Sequence, residues 1–334
     1  MMNNQFSNFL SRHFIFGDIG ARFGLEEPWK SYRDCIDVVS FEPDQEEFEE
    51  LKKRKKGKDI VLQFALFKSE KKLNLNLTGG RGCSSIFHPN QAYLEQFPDV
   101  ERFKVEKKEI IETTTLNNLY AKKVVENLDF VKLDTQGSEL DILRGGQKII
   151  DEQILGVQVE VEFKPMYTLQ PLFSDVDRYI REKLGLVLFD IRKAYWKYKE
   201  GRGIGPSKGQ LIFGDALYFR DPYELPKWCN QFGELEARNK IMMACLMGVI
   251  YGYPDYSLCL LEQQEINLVL KTQTIAQLKR SVIESARSHK YFFKGSEKLS
   301  HIFEIISKIF LKDHCGWADG QRHLGSRKKL KIYY

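Results

Sequence analysis

The sequence lacks the features that mark membrane, secreted and metal-stabilised proteins. Its longest apolar run, residues 241–251, is 11 residues long, short of the ~18 or more that a membrane span needs. The first residues hold no apolar stretch before a small-residue cleavage site, so no secretory signal is expected. Six cysteines include no CxxC pair and no cluster with histidine, which predicts neither a metal site nor a disulfide framework. Together these absences favour the reducing cytoplasm.

Neither sign of charge dominates. Lys and Arg number 51 against 46 Asp and Glu, a net charge of +5, which is too mild to indicate a polyanionic partner. Basic runs at residues 52–58 (KKRKKGK) and 327–331 (RKKLK) could contact nucleic acid or anionic lipid, but such runs are more often solvated. We therefore predict no nucleic acid partner.

What is present is the composition of a globular protein and a regular alternation of structure. Hydrophobic residues make up 43% of the 334 residues, enough for one large domain with an appendage or for two domains. Short runs rich in β-branched residues, separated by helix-like stretches, predict five strands. These runs are residues 14–19, 38–41, 60–66, 130–133 and 157–163. Such alternation is typical of a parallel sheet with helices on both faces.

Two later runs, residues 186–191 and 210–219, flank a glycine-rich loop as an antiparallel pair would. The prediction is an α/β fold with a doubly wound, mostly parallel sheet of seven strands. Helical periodicity replaces the alternation further on, so we place a boundary between residues 225 and 226. Residues 226–334 are then a helical appendage, which we expect to cover the acceptor or to mediate self-association as a homo-oligomer.

A glycine-containing turn, DIGARFG, follows the first predicted strand at residues 18–24. Glu42 stands at the end of the second predicted strand. In a doubly wound sheet the ligand lies outside the strand ends, where an acid on the second strand accepts hydrogen bonds from ribose. Structural roles are the alternative, with Asp18 as a cap, Gly24 as a packing glycine and Glu42 as a surface acid.

The spacing of the glycines bears on which nucleotide is bound. A dinucleotide fingerprint needs GxGxxG to cradle a pyrophosphate, whereas here only Gly20 and Gly24 are present. S-adenosylmethionine carries no phosphate and needs only a close backbone pass, an acid for the ribose and a partner for its amino acid part. The sequence therefore favours S-adenosylmethionine over a nicotinamide cofactor.

The successive segments DIGARFG, SFEP, ALF, SSIF and DFVKLDTQGSELDILRGG resemble the motifs of FkbM-type S-adenosylmethionine-dependent methyltransferases, in order and in spacing. Later segments extend the resemblance, which covers residues 14–222. It implies a Rossmann-like class I methyltransferase fold with S-adenosylmethionine as cofactor.

The resemblance also implies roles for individual residues. The residues implied to contact the methionine part of the cofactor are Asp18, Gly20, Ala21 and Gly24. It places Glu42, followed by Pro43, at the ribose, and Ala65 with Leu66 near the adenine. Ser85 belongs to the family's paired serines, which contact cofactor or acceptor. Arg22 stands where the family commonly has Asn, and its role is left open between cofactor and acceptor.

Methyl transfer to a hydroxyl requires alignment of the acceptor oxygen and removal of its proton. Asp134 directly follows a buried run, at a strand end next to the first strand, and we predict that it orients the reactants. Glu160 lies in a strand expected to be buried, where a carboxylate is costly, and is predicted as the general base. His88 is a second candidate base. The alternatives are a helix cap for Asp134, a structural ion pair for Glu160 and a surface position for His88.

The resulting prediction is an O-methyltransferase for a hydroxyl of a glycan, a glycosylated precursor or a secondary metabolite. A base-methylating enzyme of nucleic acids would show two prolines and an aromatic after the acid, but Asp134 is followed by Thr135, Gln136 and Gly137. The alternatives are a non-catalytic nucleotide-binding or scaffold module of the same fold and, less favoured, a nicotinamide-dependent oxidoreductase.

Overall fold

Two β-sheets organise the chain in the computed structural model, which describes residues 6, 8–204, 208–286, 296–309, 319–320 and 324. The strands in these segments are β1 Phe14–Ile19, β2 Ile36–Phe41, β3 Ile60–Leu62, β4 Ala65–Leu66, β5 Lys71–Thr78, β6 Val105–Thr114, β7 Phe130–Leu133, β8 Gly156–Glu162, β9 Leu186–Trp196, β10 Gln210–Arg220 and β11 Asp319–Gly320.

The described α-helices are α1 Gln45–Arg54, α2 Gln91–Leu94, α3 Leu116–Ala121, α4 Glu139–Gly145, α5 Gln147–Gln153, α6 Phe173–Lys183, α7 Leu225–Cys229, α8 Glu234–Tyr251, α9 Pro254–Leu261, α10 Ile266–Val269, α11 Thr272–Ala286 and α12 Ser296–Ile309. Short 3-10 helices span Trp29–Cys35, Arg81–Cys83, Val100–Phe103 and Lys199–Gly201. Within the described segments, no helix is both long enough and apolar enough to cross a bilayer.

The large sheet has the strand order β11-β9-β10-β8-β7-β1-β2-β3. Strands β3, β2, β1, β7 and β8 are parallel, and β10 lies antiparallel between β8 and β9. Apart from the two-residue β11, these are the seven strands that the sequence predicts. The doubly wound, mostly parallel sheet of the Rossmann-like methyltransferase class is confirmed.

Alternate residues of the strands face two separate cores, as the period of two requires. On one face, aliphatic side chains such as Val131 and Val159 pack against helices α3 to α6. On the other face, Phe14, Phe16 and Phe130 share a core with α8. The segment from Lys240 to Tyr251 in α8 is buried throughout.

Helices α7 to α11 form a layer on one face of the large sheet. Helices α7 to α11 all contribute side chains to the core that covers one face of the sheet. Tyr251 at the end of α8 accepts a hydrogen bond from Trp29 Nε1 (2.8 Å) and donates one to Gln158 Oε1 (2.9 Å). The division of the chain into domains at residues 225 and 226 stays a prediction.

The second sheet is a feature that the sequence analysis missed. The predicted strand at residues 60–66 is two strands, of which β3 joins the large sheet and β4 pairs with β6. Strand β5 pairs antiparallel with β6, and the order is β4-β6-β5. The alternating Leu73, Leu75 and Leu77 of β5 carried a strand signal with period two. This small sheet stands over one side of the carboxyl ends of the large sheet's strands.

Candidate active site

A cleft lies at the carboxyl ends of β1, β2 and β7, between the two sheets. This position is where doubly wound sheets bind ligands. Of the residues singled out from the sequence, the cleft is lined by Gly20, Arg22, Glu42, Pro43, Ala65, Leu66 and Asp134.

Gly20 shapes the floor of the cleft. Its φ is +79°, and a Cβ built on it would lie 2.0 Å from the carbonyl oxygen of Asp134. Only glycine fits, because both the left-handed backbone and the close approach exclude a side chain. The sequence analysis expected glycine here so that the backbone could pass close to the ligand. In the structure, the backbone carbonyl of Asp134 at the neighbouring strand end also requires glycine at this position.

Glu42 and Arg22 form a polar corner of the cleft. Glu42 is 4% exposed and accepts a hydrogen bond from the Asp44 backbone N–H (2.9 Å). Burial raises the pKa of Glu42 to about 7, although Arg22 and the backbone hydrogen bond oppose the shift. Arg22 lies with Nη2 3.6 Å from Asp44 Oδ2, and its buried Nη1 has no hydrogen-bond partner among the described residues. An unpaired buried donor is costly, so this corner is built to receive an acceptor atom.

Apolar side chains form the opposite wall. Leu66 of β4, Leu75 and Leu77 of β5, and Ile111 of β6 all face the cleft. Phe64, in the link between β3 and β4, joins them. A wall of this kind suits the flat apolar faces of an adenine ring. The sequence pointed to Ala65 and Leu66 here but not to the second sheet that completes the wall.

Asp134 is the acid at the far end of the cleft, next to Gly20. Its side chain is 32% exposed, and its Oδ2 lies 3.6 Å from Lys132 Nζ. Lys132 also lies 3.7 Å from the buried Asp18 Oδ1. Burial works against the ammonium, but Asp18 and Asp134 together raise the pKa of Lys132 above its usual range. A buried cation thus links the two acids at the ends of β1 and β7.

Gln136 connects Asp134 to the buried acids of β8. Its Nε2 donates to Asp134 Oδ1 (3.2 Å) and to Glu160 Oε2. Its φ of +59° is uncommon for a residue with a side chain and turns the loop back toward the strand. Burial and then the charge of Asp134 raise the pKa of Glu160 well above its usual range. The pKa of Glu162 is also raised well above its usual range, first by burial and then by Glu139.

Glu139, in the first turn of α4, has a structural role. Its carboxylate accepts hydrogen bonds from the Thr135 N–H (2.6 Å) and the Gly137 N–H (2.9 Å) and so fixes the loop after β7. Burial raises the pKa of Glu139 to about 7. Ser138 caps no N–H of this helix with its side chain, and its hydroxyl donates to Thr135 Oγ1 (2.8 Å).

Six of the predicted site residues do not line the cleft. Asp18 is buried beneath it, and Glu160 lies behind Gln136. Ser85 is buried and donates to the Gln136 carbonyl (2.7 Å), which ties its loop to the site. His88 is exposed on the same loop, with Nδ1 3.0 Å from the Pro89 carbonyl oxygen. The other two residues off the lining are Ala21 and Gly24.

Some residues of the cleft were not singled out from the sequence. Phe23 is 72% exposed and lines the cleft, as do Arg81 and Gly82. Gln136 lines the cleft beside Asp134, and Lys132 lies beneath it. The sequence held one signal for Lys132. It is a lysine within the apolar run FVKL, and a charge in a buried strand needs a partner.

The comparison with protein families decides the family. The model of the methyltransferase FkbM domain matches residues 18–185, half of the chain, including the turn at Gly20 and the segment around Asp134. The chain belongs to the FkbM methyltransferase family. No protein of curated function matches the sequence.

Solved structures that match this chain at low identity include methyltransferases. The methyltransferase FkbM from Methylobacillus flagellatus is 15% identical, with a TM-score of 0.37 over 62% of this chain and 43% of that chain. The chain thus spans less than half the length of that relative. A TehB-like methyltransferase from Corynebacterium glutamicum is 10% identical, with a TM-score of 0.29 over 66% of this chain and 86% of that one.

Proposed function

We propose that this FkbM methyltransferase binds S-adenosylmethionine in the cleft and methylates a hydroxyl group. The cleft residues fit the cofactor. Glu42 accepts hydrogen bonds from the ribose, the Leu66 wall packs on the adenine, and Gly20 lies beside the methionine part. The orphaned Nη1 of Arg22 supplies a donor at the same corner. When bound, the cofactor supplies an electrophilic methyl group.

Asp134 is the group that we assign to the acceptor. In our proposal its carboxylate orients the acceptor hydroxyl and takes its proton. Asp134 lines the cleft, with its Oδ2 3.6 Å from Lys132 Nζ, whereas Glu160 lies behind Gln136. This assignment moves the role of general base, which the sequence analysis gave to Glu160, to Asp134.

The observation that carries this proposal is that Glu42 and Asp134 line one cleft, from the ends of β2 and β7. The acceptor belongs to the class of hydroxylated glycans, glycosylated precursors or secondary metabolites. Phe23, 72% exposed at the cleft, offers a ring on which an acceptor sugar stacks. We also propose that the protein acts in the cytoplasm.

Incubation with methyl-labelled S-adenosylmethionine and a panel of mono- and oligosaccharides, glycolipids and polyphenols tests the reaction. Label should transfer to a hydroxyl and form an ether that resists alkaline hydrolysis. Label found only on nitrogen or on a carboxylate would overturn O-methylation. Binding of NADH in place of S-adenosylhomocysteine in calorimetry would overturn the cofactor assignment.

Cofactor affinity should depend on the ionisation of Glu42. The carboxylate accepts hydrogen bonds from ribose hydroxyls and the protonated acid accepts them less well, so affinity for S-adenosylhomocysteine should fall as pH falls through about 7. Glu42→Gln should weaken binding about tenfold or more at high pH and should remove this pH dependence. Calorimetry across the pH range measures both effects. Unchanged affinity of Glu42→Gln would place the ribose elsewhere.

A further inference from the structure

The side-chain amide of Gln136 is held at both of its ends. Its Nε2 donates to Asp134 Oδ1 (3.2 Å) and to Glu160 Oε2, and its Oε1 accepts from the hydroxyl of Tyr167 (3.0 Å). These contacts use both N–H bonds and the oxygen of the amide. The opposite orientation of the amide would set its oxygen against Asp134 Oδ1, so the contacts select one orientation.

Tyr167 reaches this amide from the link between β8 and α6. It is fully buried and is not among the residues that line the cleft. Its hydroxyl also donates to the Cys83 carbonyl oxygen (2.8 Å), so its single hydrogen is shared between two acceptors. A buried tyrosine hydroxyl needs a partner, and the Cys83 carbonyl alone would meet that need. The contact with Gln136 therefore does more than satisfy a buried hydroxyl.

The backbone of Gln136 is restrained as well. Its φ of +59° is uncommon for a residue with a side chain and persists where surrounding contacts impose it. The Ser85 hydroxyl donates to its carbonyl oxygen (2.7 Å). The neighbouring N–H groups of Thr135 and Gly137 both donate to Glu139. Contacts from three separate segments thus fix the position of this one residue.

We propose that Tyr167 is a positioning residue, which acts through Gln136 to hold the Asp134 carboxylate in the orientation that receives the acceptor hydroxyl. This inference rests on the proposed role of Asp134 as general base. Lys132 Nζ lies 3.6 Å from the other carboxylate oxygen, Oδ2, so each oxygen of Asp134 has its own partner. A carboxylate that is already oriented loses little freedom when the acceptor binds, and alignment of the reacting groups lowers the barrier.

The alternative is that Tyr167 only packs the link after β8. Its ring lies edge-on to Phe103, with the centroids 6.0 Å apart, and both rings belong to a small buried cluster. In that case, loss of the hydroxyl would affect stability and would not depend on Gln136. A double-mutant cycle separates the two cases, because residues that act through one another give losses that do not add.

Turnover is measured as release of S-adenosylhomocysteine, with an acceptor of the panel above. Tyr167→Phe should lower kcat by about tenfold, the effect of one hydrogen bond, with unchanged affinity for S-adenosylhomocysteine in calorimetry. Gln136→Met keeps the length of the side chain without its hydrogen bonds and should lower kcat by about 10²-fold. The double variant should be no slower than Gln136→Met alone, because Tyr167 then has no amide to orient.

Tyr256→Phe is the matched control. It also removes a buried hydroxyl that donates to a backbone carbonyl, that of Arg220 (3.0 Å), but it does so on helix α9 in the core below the large sheet. We expect it to leave kcat unchanged. Both Tyr→Phe variants should remain folded by circular dichroism.

Nuclear magnetic resonance tests the same contact without any acceptor. The side-chain amide signal of Gln136 is the one that disappears in Gln136→Met. Its protons should exchange slowly with solvent in the wild-type protein, since both are donated to carboxylates. Exchange should be about tenfold faster in Tyr167→Phe and unchanged in Tyr256→Phe.

Equal turnover of Tyr167→Phe and Tyr256→Phe would overturn this inference. So would losses that add in the double variant, or amide exchange that Tyr167→Phe leaves unchanged. If Asp134→Asn is slow while the losses add, only the role of Tyr167 is wrong. Full turnover of Asp134→Asn would instead remove the proposed role of Asp134, and this inference with it.

Discussion

Asp134→Asn should lower the rate of methyl transfer by about 10²- to 10⁴-fold, the usual contribution of a positioned general base. The amide keeps the shape of the side chain but takes no proton. Its Oδ1 can still accept from Gln136 Nε2, which lies 3.2 Å from the present oxygen, so the loop after β7 should keep its conformation. Cofactor affinity should also weaken, because the residue lies at the cleft beside Gly20. Release of S-adenosylhomocysteine, with whichever acceptor of the panel supports turnover, measures the loss.

Glu160→Gln is the matched control for this experiment. It makes the same chemical change on the acid that lies behind Gln136, and its carbonyl oxygen can still accept the Gln136 hydrogen bond. We expect a much smaller loss of turnover than for Asp134→Asn. If Glu160→Gln proves as slow as Asp134→Asn with normal cofactor affinity, the general base is Glu160, as the sequence alone suggested.

Asp129→Asn should cost about 3 to 5 kcal/mol of the free energy of unfolding, because it removes the buried negative charge that pairs with the fully buried Lys240 and with Arg12. Asp129 is fully buried at the end of the sheet opposite the cleft. It accepts hydrogen bonds from Arg12 Nη1 (2.7 Å) and from the Ile15 N–H (2.8 Å). Its other oxygen accepts from Lys240 Nζ of α8 (2.7 Å), which is also fully buried. Urea denaturation measures the change.

Glu262→Gln serves as the comparison. It breaks the surface pair with Lys279, 2.6 Å apart with Glu262 69% exposed, and should change stability by less than about 1 kcal/mol. Similar effects of the two substitutions would show that the buried pair does not hold α8 on the sheet.

The Asp129 pair should also give stability a defined pH dependence. Burial disfavours the carboxylate, but Lys240 and Arg12 outweigh it and lower the pKa of Asp129 to about 2. A lowered pKa means that the folded state binds the proton less tightly than the unfolded chain does, so this stabilisation is complete above ~3.9, the usual pKa of aspartate. It should be lost as pH falls toward 2. Asp129→Asn should lack this part of the acid dependence.

The sequence by itself determined the large sheet. Runs of β-branched residues indicate buried strands, whatever position the strand takes in the sheet. Strands β1 and β7 begin and end where those runs do. The turn at Gly20 and the acids Glu42 and Asp134 follow directly from their places after strands, because parallel strands put their carboxyl ends at one edge. Their shared cleft could be predicted for this reason, whereas their binding roles stay predictions.

Only the tertiary structure decided which surfaces those elements bury. The apolar α8 reads as a buried helix in the sequence, but its partner, the face with Phe14 and Phe130, lies more than 100 residues earlier in the chain. Likewise, Glu160 alternates with valines along its strand, which suggested that its side chain opens onto the cleft. In the structure, Gln136 lies between Glu160 and the cleft. A local pattern of apolar residues indicates whether a segment is buried, and its period indicates whether the segment is a helix or a strand. It carries no information on the distant segment that packs there, because that contact is set by the three-dimensional path of the chain.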